Sequence, residues 1–341
     1  MTFISISTRL LVDVEALNMV ESVGNVTRHR RAMIIIETPE GYKKAEVPAV
    51  SGEMIAHGYQ EALVKVAEKI YNGKPPICKW CVRGEFFKEM DAKHMVEEAA
   101  KVTGEGEEYA HKFETAVIKN CIVEDIGGFL KAEAPPVRRT SRFQVGYMVP
   151  VKDAIKACSL ESQFHVRHAP SEPSKREGER AAQMIYYVEV GSAIYGLMFN
   201  LDVDGIGYTS LVKKELVVDR EERLRRIKVA LGALLELFSG SSYGAKRTRF
   251  LPIIETKSFA ITVSDPMPFT MLPPTTKNFI NNTVHKKAKF NQALTRIGIK
   301  ENIKIFAYSE ETEIVKDPDL EDVSSVEEAL DKAIEYVMKR V

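Results

Sequence analysis

The chain has 341 residues, 45% hydrophobic and 28% charged, a balance that suits a globular protein of one elaborated domain or two modest ones. Lysine plus arginine and aspartate plus glutamate both count 48, so the net charge is zero. That argues against a general polyanion binder, and any nucleic-acid role has to come from local clustering.

Four cysteines point to a reducing, intracellular setting. No apolar run approaches the roughly 20 residues that span a bilayer. The alternating start Met1-Thr2-Phe3-Ile4-Ser5-Ile6 lacks the form of an export signal, so a cytoplasmic protein without membrane contact is expected.

The first strand alternates through Phe3, Ile4, Ile6, Leu10, Leu11, Val12 and Val14. The polar run Gly24 to Arg31 follows, then a buried-looking strand from Ala32 to Glu37 and a turn at Gly41. Ser51 is a good helix N-cap, and Ile55, Tyr59, Ala62, Leu63, Val66 and Ile70 recur behind it at helical spacing. Gly73-Lys74-Pro75-Pro76 stops that helix.

Residues 73–115 are highly charged and broken by Thr103-Gly104-Glu105-Gly106, which predicts an insertion with one or two short helices. Strand character resumes over Thr115 to Val123, and Gly127-Gly128 marks a turn. A strand through Phe143, Val145, Tyr147 and Val149 follows. Residues 159–180 are polar and weakly periodic, which predicts an exposed, mobile loop.

Two strands come next, Gln183 to Val190 and Ala193 to Val203, joined by a turn at Glu189-Val190-Gly191-Ser192. Asp219 and Glu222 form a capping box for a helix whose apolar face is Leu224, Ile227, Leu231, Leu234, Leu235 and Phe238. Arg223, Arg225, Arg226 and Lys228 are assigned to its solvent face. A long strand spans Pro252 to Val263. A proline-rich loop from Pro266 to Pro274 follows, then a strand from Ile303 to Tyr308. A last helix begins after Ser324-Ser325. Without the insertions the order is strand, helix, strand, strand, helix, strand. That is an α+β, ferredoxin-like βαββαβ arrangement of the kind used by RNA-recognition domains.

The cations are grouped. Arg28-His29-Arg30-Arg31 follows the first strand. Arg138, Arg139 and Arg142 flank a strand entry, Lys246, Arg247 and Arg249 follow a glycine-rich turn, and Lys286, Lys287 and Lys289 lie near the C-terminus. Basic loops at one end of a sheet can track a phosphate backbone, whereas any single cluster is better explained as solvated surface.

In Ser239-Gly240-Ser241-Ser242-Tyr243-Gly244-Ala245-Lys246-Arg247, small residues let the main chain approach a ligand, and Tyr243 is positioned to stack on a base. It is no Walker loop, because the Gly-Lys-Ser/Thr ending is missing. His165, Arg167 and His168 are further candidate RNA contacts.

Cys78-Lys79-Trp80-Cys81 is an isolated CxxC. With no second pair at zinc-finger spacing, only folding could add Cys121, Cys158, His94 or His111, and no metal or cofactor is expected. For catalysis there is no HExxH, GxSxG or dinucleotide fingerprint. Asp13, Glu15 and Glu21 are the acids nearest the first basic run.

Several segments together resemble the CRISPR-associated autoregulator (DevR) family, in particular its archaeal type I-A branch, the repeated backbone subunit of Cascade. They are Glu15 to Asn25 running into Thr27 to Arg31, Val47-Pro48-Ala49-Val50-Ser51-Gly52-Glu53, Phe164 to His168, and the Gly240 to Arg249 loop. The resemblance implies an RNA-recognition-like palm: residues 1–72, 116–150 and 183–264, with a helical insertion at 73–115. It also implies a mobile thumb-like insertion at 151–182 and a C-terminal extension at 265–341.

It further implies a non-catalytic protein whose copies assemble head to tail on a CRISPR guide RNA, beside other Cascade subunits, leaving the guide to pair with target DNA. Arg28, His29, Arg30 and Arg31 would then line the guide groove. Ser241, Ser242, Tyr243, Gly244, Lys246 and Arg247 would form the glycine-rich contact, and His165 and His168 would sit on the insertion. The type III branch cuts target RNA with a loop aspartate, and here Gly24 to Arg31 has no acid. A metal-dependent ribonuclease using Asp13, Glu15 or Glu21 is the alternative. A standalone transcriptional regulator, which the family name suggests, lacks a helix-turn-helix signature.

Overall fold

The spine of the molecule is β1 (Phe3–Glu15), buried along nearly its whole length on both faces. The structure, a computed structural model, describes residues 2–167, 184–240 and 243–341. From β1 the chain makes β2 (Met19–Val23), β3 (Val26–His29), β4 (Arg31–Thr38) and β5 (Gly41–Pro48), then helix α1 (Gly52–Ile70). Ser51 caps α1 as its sequence predicts, its hydroxyl accepting the Met54 N–H.

The next stretch is largely helical: α2 (Lys79–Val82), α3 (Glu97–Ala100), α4 (Gly106–Asn120) and α5 (Ile122–Gly127). Short strands β6 (Phe129–Lys131), β7 (Val137–Arg139), β8 (Phe143–Val145) and β9 (Val149–Pro150) precede β10 (Ser159–Arg167) and the long β11 (Met184–Asp202). Helix α6 (Arg220–Gly240), β12 (Ile253–Asp265), α7 (Phe279–Arg296), β13 (Asn302–Ser309), β14 (Leu320–Asp322) and α8 (Val326–Met338) complete the described chain.

The main sheet runs β14-β13-β12-β1-β11-β3-β2, with β8, β9 and β10 also pairing along β11. It is mixed: β12 and β11 flank β1 antiparallel, while β3 joins β11 and β14 joins β13 in parallel. Strict alternation sends neighbouring residues to opposite faces. On β13, Phe306 joins the core under α1, α6 and α8, whereas Ile305 and Ala307 join a second core with Phe269, Phe279 and Ile280 of the α7 side. In the first core the Tyr59 ring meets Phe143 and Phe199 edge-on, both at 4.9 Å, and its hydroxyl donates to the Ala230 carbonyl of α6.

Several elements differ from the sequence pattern. Thr115 to Val123 is helical except at Cys121, because Tyr109, Phe113, Val117 and Ile118 are buried together and outweigh the β-branched residues among them. Met184 to Asp202 is one strand of 19 residues with no turn at Gly191-Ser192. There Gly191 pairs with Glu15 where the register of β1 shifts. Residues 159–167, read as loop, form β10 against β11, while the rest of that predicted loop lies mostly outside the described residues. The strand Ala32 to Glu37 exists but is not buried, with Met33 62% and Ile35 61% exposed.

Arg226, assigned to solvent, is fully buried in a charge network centred on α5. Asp125 Oδ1 accepts from Arg139 Nη2 at 2.5 Å and Oδ2 from Arg226 Nη1 at 2.9 Å. Arg139 Nη1 also donates to Glu114 at 3.0 Å, and Arg226 Nε donates to Glu222 at 2.7 Å. This network joins α4, α5, α6 and β7 in a dry space, where removing one member strands the other charges. Arg226→Ala therefore lowers the unfolding free energy by roughly 3–5 kcal/mol in denaturant titration, whereas Arg225→Ala beside it changes it by less than about 1 kcal/mol.

Candidate nucleic-acid interface

Leu17 and Asn18, just beyond β1, hold three separate segments with main-chain groups and one amide. The Arg30 N–H donates to the Asn18 carbonyl at 2.8 Å, and the Ala245 N–H donates to the Leu17 carbonyl at 2.7 Å. The Ser51 N–H donates to Asn18 Oδ1 at 2.8 Å. The first basic run, the glycine-rich turn and the N-terminus of α1 thus meet at one end of β1.

Gly244 makes the approach feasible. It sits at φ +97°, and a Cβ there would lie 2.5 Å from Leu17 Cδ2 and 2.9 Å from Leu17 Cβ. Tyr243 is buried against α1, where a methyl on Gly58 would fall 2.5 Å from the tyrosine Cβ. Burial also pushes its phenol up to about 12.

Two concavities open along this junction. One, of about 490 Å³, is lined by Asn18, Arg30, Ser51, His57, Gly244 and Ala245, with Glu53 and Glu61 also on its wall. The other, of about 540 Å³, is lined by His165, Tyr186, Lys246, Thr248, Arg249 and Phe250. His165 stacks on Tyr186 at 5.1 Å and meets Phe250 edge-on at 5.5 Å. Arg30 Nε, Arg247 Nε and His165 Nε2 are buried with no hydrogen-bond partner among the described residues. Polar atoms in that state call for a reason, and a bound phosphate or base edge supplies one.

The other candidates have different surroundings. Arg28 is exposed and pairs loosely with Glu21 at 3.4 Å. Arg31 bonds Glu46 at 3.1 Å and Glu189 at 2.7 Å. His29 is buried: Nδ1 is 2.7 Å from the Arg30 carbonyl and Nε2 is 2.6 Å from Glu15. Both nitrogens of the ring thus face oxygen atoms. Burial works to lower its pKa, but Glu15 offsets this and raises it above the usual 6.5.

Tyr243 cannot offer its face to a base, because Gly58 and Met148 enclose it. Arg139 is consumed by the α5 network, so the groove role expected of it is corrected to a structural one. Arg142 holds Asp202 at 3.3 Å and Ser210 at 2.9 Å. Arg138 is exposed, but all three belong to the other end of the sheet. Asp202 pairs with Phe3, the far end of β1 from Glu15, roughly 40 Å away at strand spacing. Lys287, from the C-terminal basic group, is buried and paired with Asp317 and Asp319. His168, Ser241 and Ser242 lie outside the described residues, as does the side chain of Arg167.

Sequence reasoning missed Asn18, His57, Tyr186 and Phe250. The N-cap signal at Ser51 was the one local cue that a helix start faced this site. The acids offered for catalysis do not gather here. Glu15 accepts from Tyr195 and from the Leu17 N–H, each at 2.8 Å, beside its contact to His29, and Glu21 stands out on the exposed hairpin.

Comparisons with known proteins agree with the resemblance. The model of the family described as CRISPR-associated negative auto-regulator DevR/Csa2 matches residues 6–284. The chain belongs to the DevR/Csa2 family. Within it, the CRISPR-associated aCascade subunit Cas7/Csa2 2 of Saccharolobus solfataricus is 40% identical over 296 residues, covering 84% of this chain and 87% of that protein. The CRISPR-associated protein Cas7/Cst2/DevR of Methanocaldococcus jannaschii is 26% identical over 352 residues, covering 98% and 99%. A chain of a solved structure titled CRISPR RNA-guided surveillance complex, pre-nicking, shares the fold with a TM-score of 0.52 at 10% identity, covering 98% and 99%. Among the described residues of this DevR/Csa2 protein, no helix is long and apolar enough to cross a membrane.

Two outcomes follow from this geometry. The stability contributed by His29–Glu15 is full below the ordinary histidine value of 6.5 and is lost as pH rises through the raised value, so unfolding midpoints fall over that window. In His29→Gln that slope flattens. Gly244→Ala forces a side chain against Leu17 at positive φ and destabilises by about 1–3 kcal/mol, weakening RNA binding in a filter assay although no charge is removed.

Proposed function

We propose that this protein is a non-catalytic RNA-binding subunit that coats a CRISPR guide RNA in several head-to-tail copies, forming the backbone of a type I-A Cascade-type complex. The observation that carries this is the junction at Leu17–Asn18, which gathers Arg30, the Gly244 turn and the α1 N-terminus at one end of β1. Lys246 and Arg249 beside the His165–Tyr186 stack extend it with cations and aromatic rings. These are the groups that hold a single strand without reading its sequence. Family membership and the name of the Saccharolobus relative, an aCascade subunit, support the same reading.

The finer architecture fits a ferredoxin-like palm. The strand order β12-β1-β11, with β8 and β9 beyond it and α1 and α6 packed over the core, has the pattern of a βαββαβ sheet. The β10–β11 extension supports a thumb-like role for the neighbouring insertion. Guide pairing with target DNA is then delegated to the RNA, and the protein reads backbone shape. Cutting of target RNA has less support, because both oxygens of Glu15 are engaged in holding the fold.

Purification with an expressed CRISPR array tests the proposal. The expected product is a particle several subunits in mass containing guide RNA, with target RNA left intact in magnesium. A monomer free of nucleic acid, or regular cleavage of the target, overturns it. In the Arg30→Ala, Lys246→Ala, Arg247→Ala triple variant, RNA affinity falls for all sequences. The slope of log affinity against log salt shrinks by about 0.7 for every phosphate that the variant no longer neutralises.

A further inference from the structure

Folding brings the lone CxxC to a third cysteine and a carboxylate. Cys78 caps α2, and its sulfur accepts the Cys81 N–H at 3.4 Å, bending the pair so that both sulfurs point the same way. Cys121 holds the N-cap position of α5, and Glu124 stands three residues on, in its first turn. The Ile122 N–H to Pro76 carbonyl bond, 2.9 Å, ties the two segments beside the cluster. The ligand atoms of Cys78, Cys81, Cys121 and Glu124 all lie within 4.8 Å of one another, and among the described residues this is the one such group of three or more.

We propose that Cys78, Cys81, Cys121 and Glu124 form a structural zinc site that fastens the segment after α1 to α5. Two of its edges can be set against those of a zinc tetrahedron. With Zn–S about 2.3 Å and Zn–O about 2.0 Å, its edges are about 3.5 Å for sulfur to oxygen and about 3.8 Å for sulfur to sulfur. The Glu124 Oε1 is 3.3 Å from Cys78 Sγ and 3.9 Å from Cys81 Sγ, on either side of that value. Glu124 is 1% exposed, and its carboxyl faces the buried carboxyl of Glu89.

Three soft thiolates with one oxygen in a closed, buried shell select zinc over harder cations, and four protein ligands leave no open position for chemistry. Fully ionised, the ligands carry four negative charges and the ion two positive ones. Lys88, half enclosed beside Gly127 and in the field of Cys81, Cys121 and Glu124, offsets part of the remainder, while the buried carboxyl of Glu89 beside Glu124 works against it. A cavity of about 320 Å³ lined by Pro76, Cys78, Val96 and Asn120 gives an ion a way in.

The absence of metal expected from the sequence is thereby revised. Of the four partners that the sequence offered the CxxC pair, folding supplies Cys121. Cys158 remains apart, His94 bonds Asp91 at 2.8 Å and His111 faces Glu215 at 3.0 Å. Glu124 is not legible in the sequence, since a Cys-x-x-Glu turn on a helix start carries no recognised zinc spacing. The site also reaches the interface: Phe86, in the fastened segment, packs edge-on against His57 of α1 at 5.0 Å.

The test is metal analysis of the untagged full chain purified under reducing conditions, together with Cys81→Ser, Glu124→Gln and Cys158→Ser. One zinc per chain is expected in the parent and in Cys158→Ser, and less than a tenth of that in Cys81→Ser. Cobalt loaded in place of zinc should show the intense visible bands of a tetrahedral thiolate site, altered in Glu124→Gln. If Cys81→Ser does not fold, release of zinc from the parent by a mercurial, followed with a chromogenic chelator, gives the stoichiometry directly. No zinc and no cobalt uptake in the folded parent overturns the site. So does a Cys78–Cys81 disulfide in the freshly isolated protein, because those sulfurs would then be unable to bind the ion.

Discussion

Everything at the proposed RNA interface depends on how the main chain leaves β1. Glu15 is locked by His29, Tyr195 and the Leu17 N–H, and the next residues offer two carbonyls and one amide to three other parts of the molecule. A sheet strand normally ends in a loop that moves freely. Here the end is the fixed point, and the basic hairpin, the α1 start and the glycine-rich turn are located relative to it. Buried main-chain hydrogen bonds are costly to leave unmade, so this junction is stiff without any disulfide.

The same chemistry, an arginine beside a carboxylate, serves two purposes that burial separates. Arg139 and Arg226 are enclosed by Asp125, Glu114 and Glu222 and have no capacity left for a ligand. Arg30, beside an opening, and Arg247 each keep a donor with no acceptor among the described residues. Opposite charges balance over the chain, so attraction for a polyanion depends on where cations are clustered and left unpaired.

The regular parts of this fold were readable in the sequence through local rules. Ser51 and Ser325 cap their helices as their positions indicate, and β1, β12 and β13 follow from alternation. Two kinds of feature were hidden. One is the fate of a charged side chain: Arg225 and Arg226 are adjacent, yet only the register of α6 against α5 decides which is buried. The other is the meeting of distant segments, as when Leu17 reaches Ala245 or Cys78 reaches Cys121, which no local spacing reveals. Helix α7 was missed because its apolar face is thin, with Lys287 occupying a buried position that a salt bridge makes tolerable.

The continuity of β11 has a consequence for how the molecule can vary. Its first half leaves β1 behind and runs on with β10, so His165 lies opposite Tyr186 and Phe164 opposite Tyr187, on alternate faces. A single inserted residue in either strand would turn the His165–Tyr186 stack away from Lys246 and bring Phe164 and Tyr187 round in its place. Homologues that lengthen or shorten this arm while keeping the stack must therefore do so two residues at a time, or absorb the odd residue in a bulge.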